Sequence, residues 1–129
     1  MIQHEATTIW ERWNSYTRAR GFGDVNMNSF NHYAFGAVYD WIFGVSVGLK
    51  PSDEIPGYKV VDIAPRPSKE LGFVDASIKT AHGQLRVKRY YKNETVHYEI
   101  SVPTNVIANL TLSSGYKTTL KGGEYFFAE

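Results

Sequence analysis

Two short segments hold the residue types that do chemistry. In Ala6-Thr-Thr-Ile-Trp-Glu-Arg-Trp13 one carboxylate, Glu11, lies close to both Trp10 and Trp13. Desolvation beside apolar rings disfavours a charged carboxylate and makes it a stronger base, which suits proton transfer. Pairing of Glu11 with Arg12 on a helix surface is the plainer alternative, and Trp10 serves equally as a core residue or as a ring that stacks on a sugar. In Met27-Asn-Ser-Phe-Asn-His-Tyr-Ala-Phe-Gly36, His32 stands among Asn31 and aromatic residues near an expected helix start. It is able to hydrogen-bond a hydroxyl group, accept a proton or simply pack.

Other chemistries find no residues to carry them. The four histidines (His4, His32, His82 and His97) and the acidic residues lack the close spacings of metal sites, so neither metal nor cofactor is expected. There is no nucleophile elbow, phosphate loop or dinucleotide fingerprint. The absence of cysteine removes disulfide and thiolate chemistry and gives no tie to an oxidising compartment.

The elements that must position these segments change character near Pro51. From Ser29 to Leu49, Phe30, Tyr33, Ala34, Val38, Trp41, Ile42, Val45 and Leu49 recur at three- and four-residue steps. That spacing predicts a helix with one apolar face, capped by Asn28 or Ser29 and stopped at Lys50-Pro51. Gly36, Gly44 and Gly48 weaken such a helix, so their presence predicts close packing against another backbone. A shorter helix is expected over about Thr8 to Trp13. The stretch from Asn14 to Met27 reads as a long loop, a kind of segment that tends to be functional.

After Pro51 the pattern is that of strands. Runs at Tyr58–Ile63, Phe73–Thr80, Gly83–Tyr91, Thr95–Val102, Val106–Ser113, Tyr116–Leu120 and Tyr125–Ala128 are separated by short turn signals. Val96, Tyr98, Ile100 and Val102 alternate with polar neighbours, as in a half-buried strand. The fold class expected is α+β, a short N-terminal helical segment followed by an antiparallel β-sandwich, with residues 1–50 and 51–129 as separate domains. Apolar helix faces of this kind need a cover, either another polypeptide or a second copy of the chain.

Composition narrows the partners. A hydrophobic share of 43% with 21% charged residues is that of a globular protein, and the net charge of +1 lacks the basic excess of a nucleic-acid binder. Lys88, Arg89 and Lys92 cluster, but in a strand-like run whose plain reading is a solvated sheet face. The longest apolar run, Trp41 to Leu49, is too short to span a membrane. The first ten residues, MIQHEATTIW, lack a signal-peptide pattern, so a cytoplasmic location is the default expectation.

The two chemical segments, together with Trp41, Pro56-Gly-Tyr58, Ile63-Ala-Pro-Arg-Pro67 and Gly83-Gln-Leu-Arg86, closely resemble the last stretch of bacterial α-L-rhamnosidases. Val102-Pro-Thr-Asn105 is similar to a late turn of that family. The likeness is strong from Ala6 to Pro67, fair to Tyr91 and patchy beyond. It implies that the helical segment ends an (α/α) catalytic barrel and that the sandwich follows it. The implied reaction is hydrolysis of a terminal α-L-rhamnosyl group with inversion, so a rhamnose-containing glycan is the implied partner. By the same likeness Glu11 matches the general base and His32 a histidine that contacts rhamnose. Trp10 and Asn31, flanking them, are implied in substrate binding. The acid that an inverting hydrolase also needs has no matching segment here, so the chain alone is expected to be inactive. A competing reading is a carbohydrate-binding or structural accessory sandwich using Tyr90, Tyr91 and Tyr98.

Overall fold

The computed structural model describes residues 2–129. The chain divides into two compact units, Met1–Asp40 and Trp41–Glu129.

The first unit is mostly irregular. It contains a 3-10 turn at Ile2–His4, a minimal hairpin of β1 (Tyr16–Thr17) and β2 (Gly21–Phe22), a second 3-10 turn at Tyr33–Gly36, and the first residues of α1 (Ala37–Trp41). The helix expected over Thr8 to Trp13 does not form. Its amides turn outward instead: Glu11 N–H donates to Ser29 O at 2.8 Å, and Ile9 O accepts from His32 N–H at 2.8 Å. A backbone committed to cross-chain hydrogen bonds cannot also supply the i to i−4 ladder. The same bonds move the second helix start from Ser29 to Tyr33, where His32 is extended (φ −82°, ψ 93°) with no side-chain cap. Asn28 caps nothing; its amide donates to Ser15 O at 3.1 Å. The expected long loop is therefore structured, holding β1 and β2 and a turn closed by Gly23 N–H on Ser15 O at 2.7 Å. Rings placed edge to face run from Trp10 to Phe30 (5.2 Å), Phe30 to Phe22 (5.6 Å) and Phe22 to Tyr16 (5.3 Å). Of these rings only Trp10 is buried, and Phe22 stays largely exposed.

The second unit is the expected sandwich. A π-helical turn, Ile42–Val47, leads to β3 (Leu49–Pro51) and β4 (Val60–Ile63). Then come β5 (Val74–Thr80), β6 (Gly83–Lys92), β7 (Thr95–Val102), β8 (Ile107–Thr111), β9 (Lys117–Leu120) and β10 (Gly123–Ala128). One sheet runs β10-β7-β6-β5 and the other β3-β4-β8-β9. All pairs are antiparallel except β4 with β8, which is parallel with Val60 opposite Ile107. Between the sheets lie Val61, Ile63, Leu85, Val87, Tyr98, Ile100, Ala108 and Leu110, all almost fully buried. Their period of two reflects the pleat, and the predicted alternation along β7 holds throughout. The β6–β7 hairpin turns at Asn93 and Glu94, both at positive φ (50° and 65°), which matches a two-residue turn of the favoured twist.

Three local expectations need correction. The helical segment is stopped at Gly48, not at Lys50-Pro51: Gly48 is left-handed (φ 72°, ψ 21°), its N–H caps Phe43 O, and Leu49 already begins a strand. Of the three glycines, only Gly48 packs on another backbone, since a Cβ there would stand 2.2 Å from the Ala64 carbonyl carbon. Gly44 faces the Lys50 side chain, and Gly36 has nothing within 4 Å. Arg89 is not on a solvated face. It shares the inward side of β6 with Leu85 and Val87 and is 1% exposed, with only Nη1 reaching an acceptor, Ser68 O, at 3.4 Å.

One end of the sandwich is clasped by a carboxylate. Glu129 accepts hydrogen bonds from Tyr98 Oη (2.6 Å), Ser113 N–H (3.2 Å), Ser113 Oγ–H and Ser114 N–H (2.9 Å). Its backbone also exchanges both hydrogen bonds with Val96. Burial opposes ionisation of Glu129, but the bonds from Ser113, Ser114 and Tyr98 outweigh it and hold the carboxyl down at about 2. The Tyr98 phenol is pushed far above its ordinary range, by burial first and by the Glu129 carboxylate second. Because the folded carboxyl lies below its ordinary 4.5, the stabilisation is complete above that pH and is lost as pH falls toward about 2. Glu129→Gln is expected to cost about 1–3 kcal/mol at neutral pH. It should also flatten the dependence of the urea midpoint on acid between pH 4.5 and 2. Parallel acid titrations of the two proteins would check this.

Candidate active site

Glu11 and His32 come together although they lie in different segments. The link is reciprocal: Glu11 N–H donates to Ser29 O, and Ser29 N–H donates to Glu11 Oε2 at 2.9 Å. Further along, His32 N–H returns to Ile9 O, so segments 9–11 and 29–32 are laced side by side. The arrangement leaves His32 Nδ1 4.0 Å from Glu11 Oε2, with the side chains 28% and 17% exposed. A backbone amide on a carboxylate oxygen fixes its orientation. Oε1 is the oxygen that Ser29 does not engage.

Around Glu11 lies a concavity of about 280 Å³, lined by Ile9, Trp10, Glu11, Trp13 and Phe35. Glu11 is the one ionisable group in that lining. Trp10, 7% exposed, forms part of the floor, while Trp13 and Phe35 are exposed. The His32 ring is tilted over Phe35 at 4.9 Å and stacks loosely on Tyr33 at 6.4 Å. Asn31, the remaining expected site residue, is exposed on the same strip. A half-buried carboxylate with an imidazole beside it and apolar rings around it is suited to hold a small polar molecule with C–H faces and to accept a proton from it.

Ser15 and Asn28 are not legible as site residues in the sequence. Ser15, fully buried, accepts Arg12 N–H on its Oγ at 3.2 Å, and its carbonyl takes the Asn28 amide and Gly23 N–H. It ties the loop bearing Ser29 to the strip bearing Glu11. No spacing in the sequence announces such a hub. Trp13 and Phe35, in contrast, stand inside the two segments singled out from the sequence. Among the described residues no group of three or more His, Cys, Asp or Glu is placed to hold a metal ion. No helix of the described residues is long and apolar enough to cross a membrane.

A two-sheet sandwich that follows a short helical segment in the chain, with a carboxylate in an aromatic recess of the first unit, fits the C-terminal region of a glycoside hydrolase. Comparison with known families narrows this. Residues 48–127 match the bacterial alpha-L-rhamnosidase C-terminal domain, and residues 1–45 match the bacterial alpha-L-rhamnosidase 6 hairpin glycosidase domain. The chain belongs to the bacterial α-L-rhamnosidase family. The alpha-L-rhamnosidase of Formosa agariphila is 41% identical over 120 residues, which cover 93% of this chain and 13% of that protein. The crystal structure of Streptomyces avermitilis alpha-L-rhamnosidase complexed with L-rhamnose superposes with a TM-score of 0.79 at 28% identity, over 99% of this chain and 14% of that one. That of native α-L-rhamnosidase from Aspergillus terreus gives 0.82 at 29% identity, over 98% and 15%. The chain thus spans about one seventh of the length of these relatives.

Proposed function

We propose that this chain is the closing part of an inverting α-L-rhamnosidase, with residues 1–50 completing a helical catalytic barrel and residues 51–129 forming the sandwich that follows it. Glu11 acts as general base. Its Oε1 takes a proton from the water that attacks the anomeric carbon, while Ser29 N–H holds Oε2 still. His32 donates a hydrogen bond to a rhamnose hydroxyl, with Trp10 and Asn31 bordering the sugar. The observation that carries this reading is the laced pair of segments, which sets the Glu11 carboxylate and the His32 ring at one aromatic recess.

Inversion needs a second carboxyl group roughly 6.5–9.5 Å from the first, to leave room for the water. That acid belongs to a part of the barrel outside these 129 residues, so the chain alone does not turn over substrate. The expected result is no release of p-nitrophenol from p-nitrophenyl α-L-rhamnopyranoside by this chain or by its Glu11→Gln variant. Turnover that Glu11→Gln abolishes would instead require a complete site, assembled across copies of the chain.

The remainder of the barrel also covers the apolar surface of the first unit, where Trp13 (80% exposed), Phe22, Val25 and Tyr33 (90%) stand in solvent. Without that cover the chain self-associates, and light scattering should report particles heavier than one chain. A monodisperse monomer would count against this assignment of the surface. The rival in which sandwich tyrosines bind sugar is disfavoured by their positions. Tyr98 is in the core, Tyr91 packs against it, and Tyr90 lies face to face with His97 at 5.3 Å.

A further inference from the structure

The second unit has a recess of its own that the rhamnosidase reading leaves unused. It occupies about 380 Å³ where the end of the π-helical turn meets β3 and β4, within the size range of small-molecule sites. Its walls include Trp41, Lys50, Asp62 and Arg66, and Gly44 and Gly48 form part of its lining. Trp41 is 54% exposed and so offers ring surface. The glycines shape the recess. At Gly44 a side chain would meet Lys50 Cε at 2.7 Å, and at Gly48 it would strike the Ala64 backbone. Having no side chain at either position lets the Lys50 stem lie across the helix end and draws that end against the end of β4.

The polar groups there are arranged rather than scattered. Asp62 Oδ1 accepts the Asn109 amide at 3.1 Å across the parallel pair, and Asn109 Oδ1 in turn accepts Thr119 Oγ–H at 3.4 Å. Asp62 is thereby oriented, with Oδ2 left to accept from another hydroxyl. Neither Lys50 nor Arg66 has an ion pair among the described residues. Two cations against one carboxylate leave the recess with one net positive charge. An indole face beside a guanidinium, an ammonium and an oriented carboxylate complements a pyranose ring that bears a carboxylate. The ring's C–H face would lie on Trp41, its carboxylate on Arg66 and Lys50, and a hydroxyl on Asp62.

We infer that this recess is a binding subsite for a uronic acid unit. It is separate from the Glu11 recess and does not depend on the role of Glu11. A neutral sugar would leave both cations unmatched, and a small inorganic anion would leave the indole unused.

The test is titration of the 129-residue chain with sodium D-galacturonate, D-galactose and sodium sulfate, followed through backbone amide and indole N–H signals by NMR. Galacturonate should shift the Trp41 indole and the Gly44 and Gly48 amides saturably, with galactose and sulfate at least about tenfold weaker. Arg66→Gln and Lys50→Gln should each weaken galacturonate by about tenfold, the loss of one charge-assisted contact. Both changes are at exposed side chains, so they test the site without disturbing the core. Absence of a saturable shift would overturn the inference. Equal binding of sulfate would reduce the recess to a simple anion site, equal binding of galactose to a neutral platform, and either would also overturn it. Unchanged affinity in Arg66→Gln would do the same.

Discussion

Gly48→Val should bring the second unit close to its unfolding threshold at room temperature. Two costs fall on the same atom. A β-branched residue held at φ 72° pays about 1–3 kcal/mol in backbone strain. Its Cβ would also stand 2.2–2.3 Å from the carbonyl carbon and oxygen of Ala64 and from Pro65 N, a clash with backbone that no rotamer relieves. Overpacking of that kind adds about 1–3 kcal/mol or more. The end of β4 would have to move, although Ala64 N–H is bonded to Gly48 O at 2.7 Å. A total of about 2–6 kcal/mol is a large part of the roughly 5–15 kcal/mol expected for a single domain. Urea unfolding followed by circular dichroism would measure it. A midpoint within error of the parent would mean that the seam between helix end and strand yields freely.

Ile63→Ala, in the same seam, should cost about 3–4 kcal/mol. Ile63 is fully buried on a central strand, paired with Leu49 on one side and Leu110 on the other. Removing its outer carbons opens a void that both neighbouring strands hold open, since each is fixed in register by ladder hydrogen bonds. Ile63→Val should cost only about 1 kcal/mol, which separates void from shape. The two sites share the Leu49–Ile63–Ala64 contact, so the combined variant should depart from additivity. A shift of β4 forced by the new side chain at position 48 has somewhere to go once the Ile63 side chain is trimmed. The double variant should therefore lose less than the sum of the single losses.

The two units are not equally legible from sequence. In the sandwich each strand buries one face, so period-two alternation records the structure directly; the spacing bounds β7 to the residue and β6 to within one. The misreadings there have physical causes. Arg89 reads as solvated because of its charge, yet the pleat gives it no choice but to follow Leu85 and Val87 inward. β3 merges with the preceding helix because Leu49 fits a helical step as well as a strand. The first unit obeys no short period. Much of its order comes from contacts between residues far apart in sequence, such as Glu11 with Ser29 and Ile9 with His32, 18 and 23 positions apart. Propensity and spacing carry no information about such pairs. Family likeness points to Glu11 and His32 but not to the Ser29 amide or the Ser15 hub, because a backbone donor has no signature in side-chain identity.

The single parallel pair, β4 with β8, also dictates when the sandwich is able to form. β5, β6 and β7 follow one another through tight turns, so these three strands are able to assemble from local hairpins on a microsecond scale. β4 must instead wait for β8, and every residue of those three strands lies between them. Closing so long a loop carries its entropy cost before any contact repays it. The β3-β4-β8-β9 sheet is therefore completed late, on the face of a meander already in place. Substitutions at the β4–β8 ladder should mainly accelerate unfolding, while those within the β6–β7 hairpin should slow folding itself.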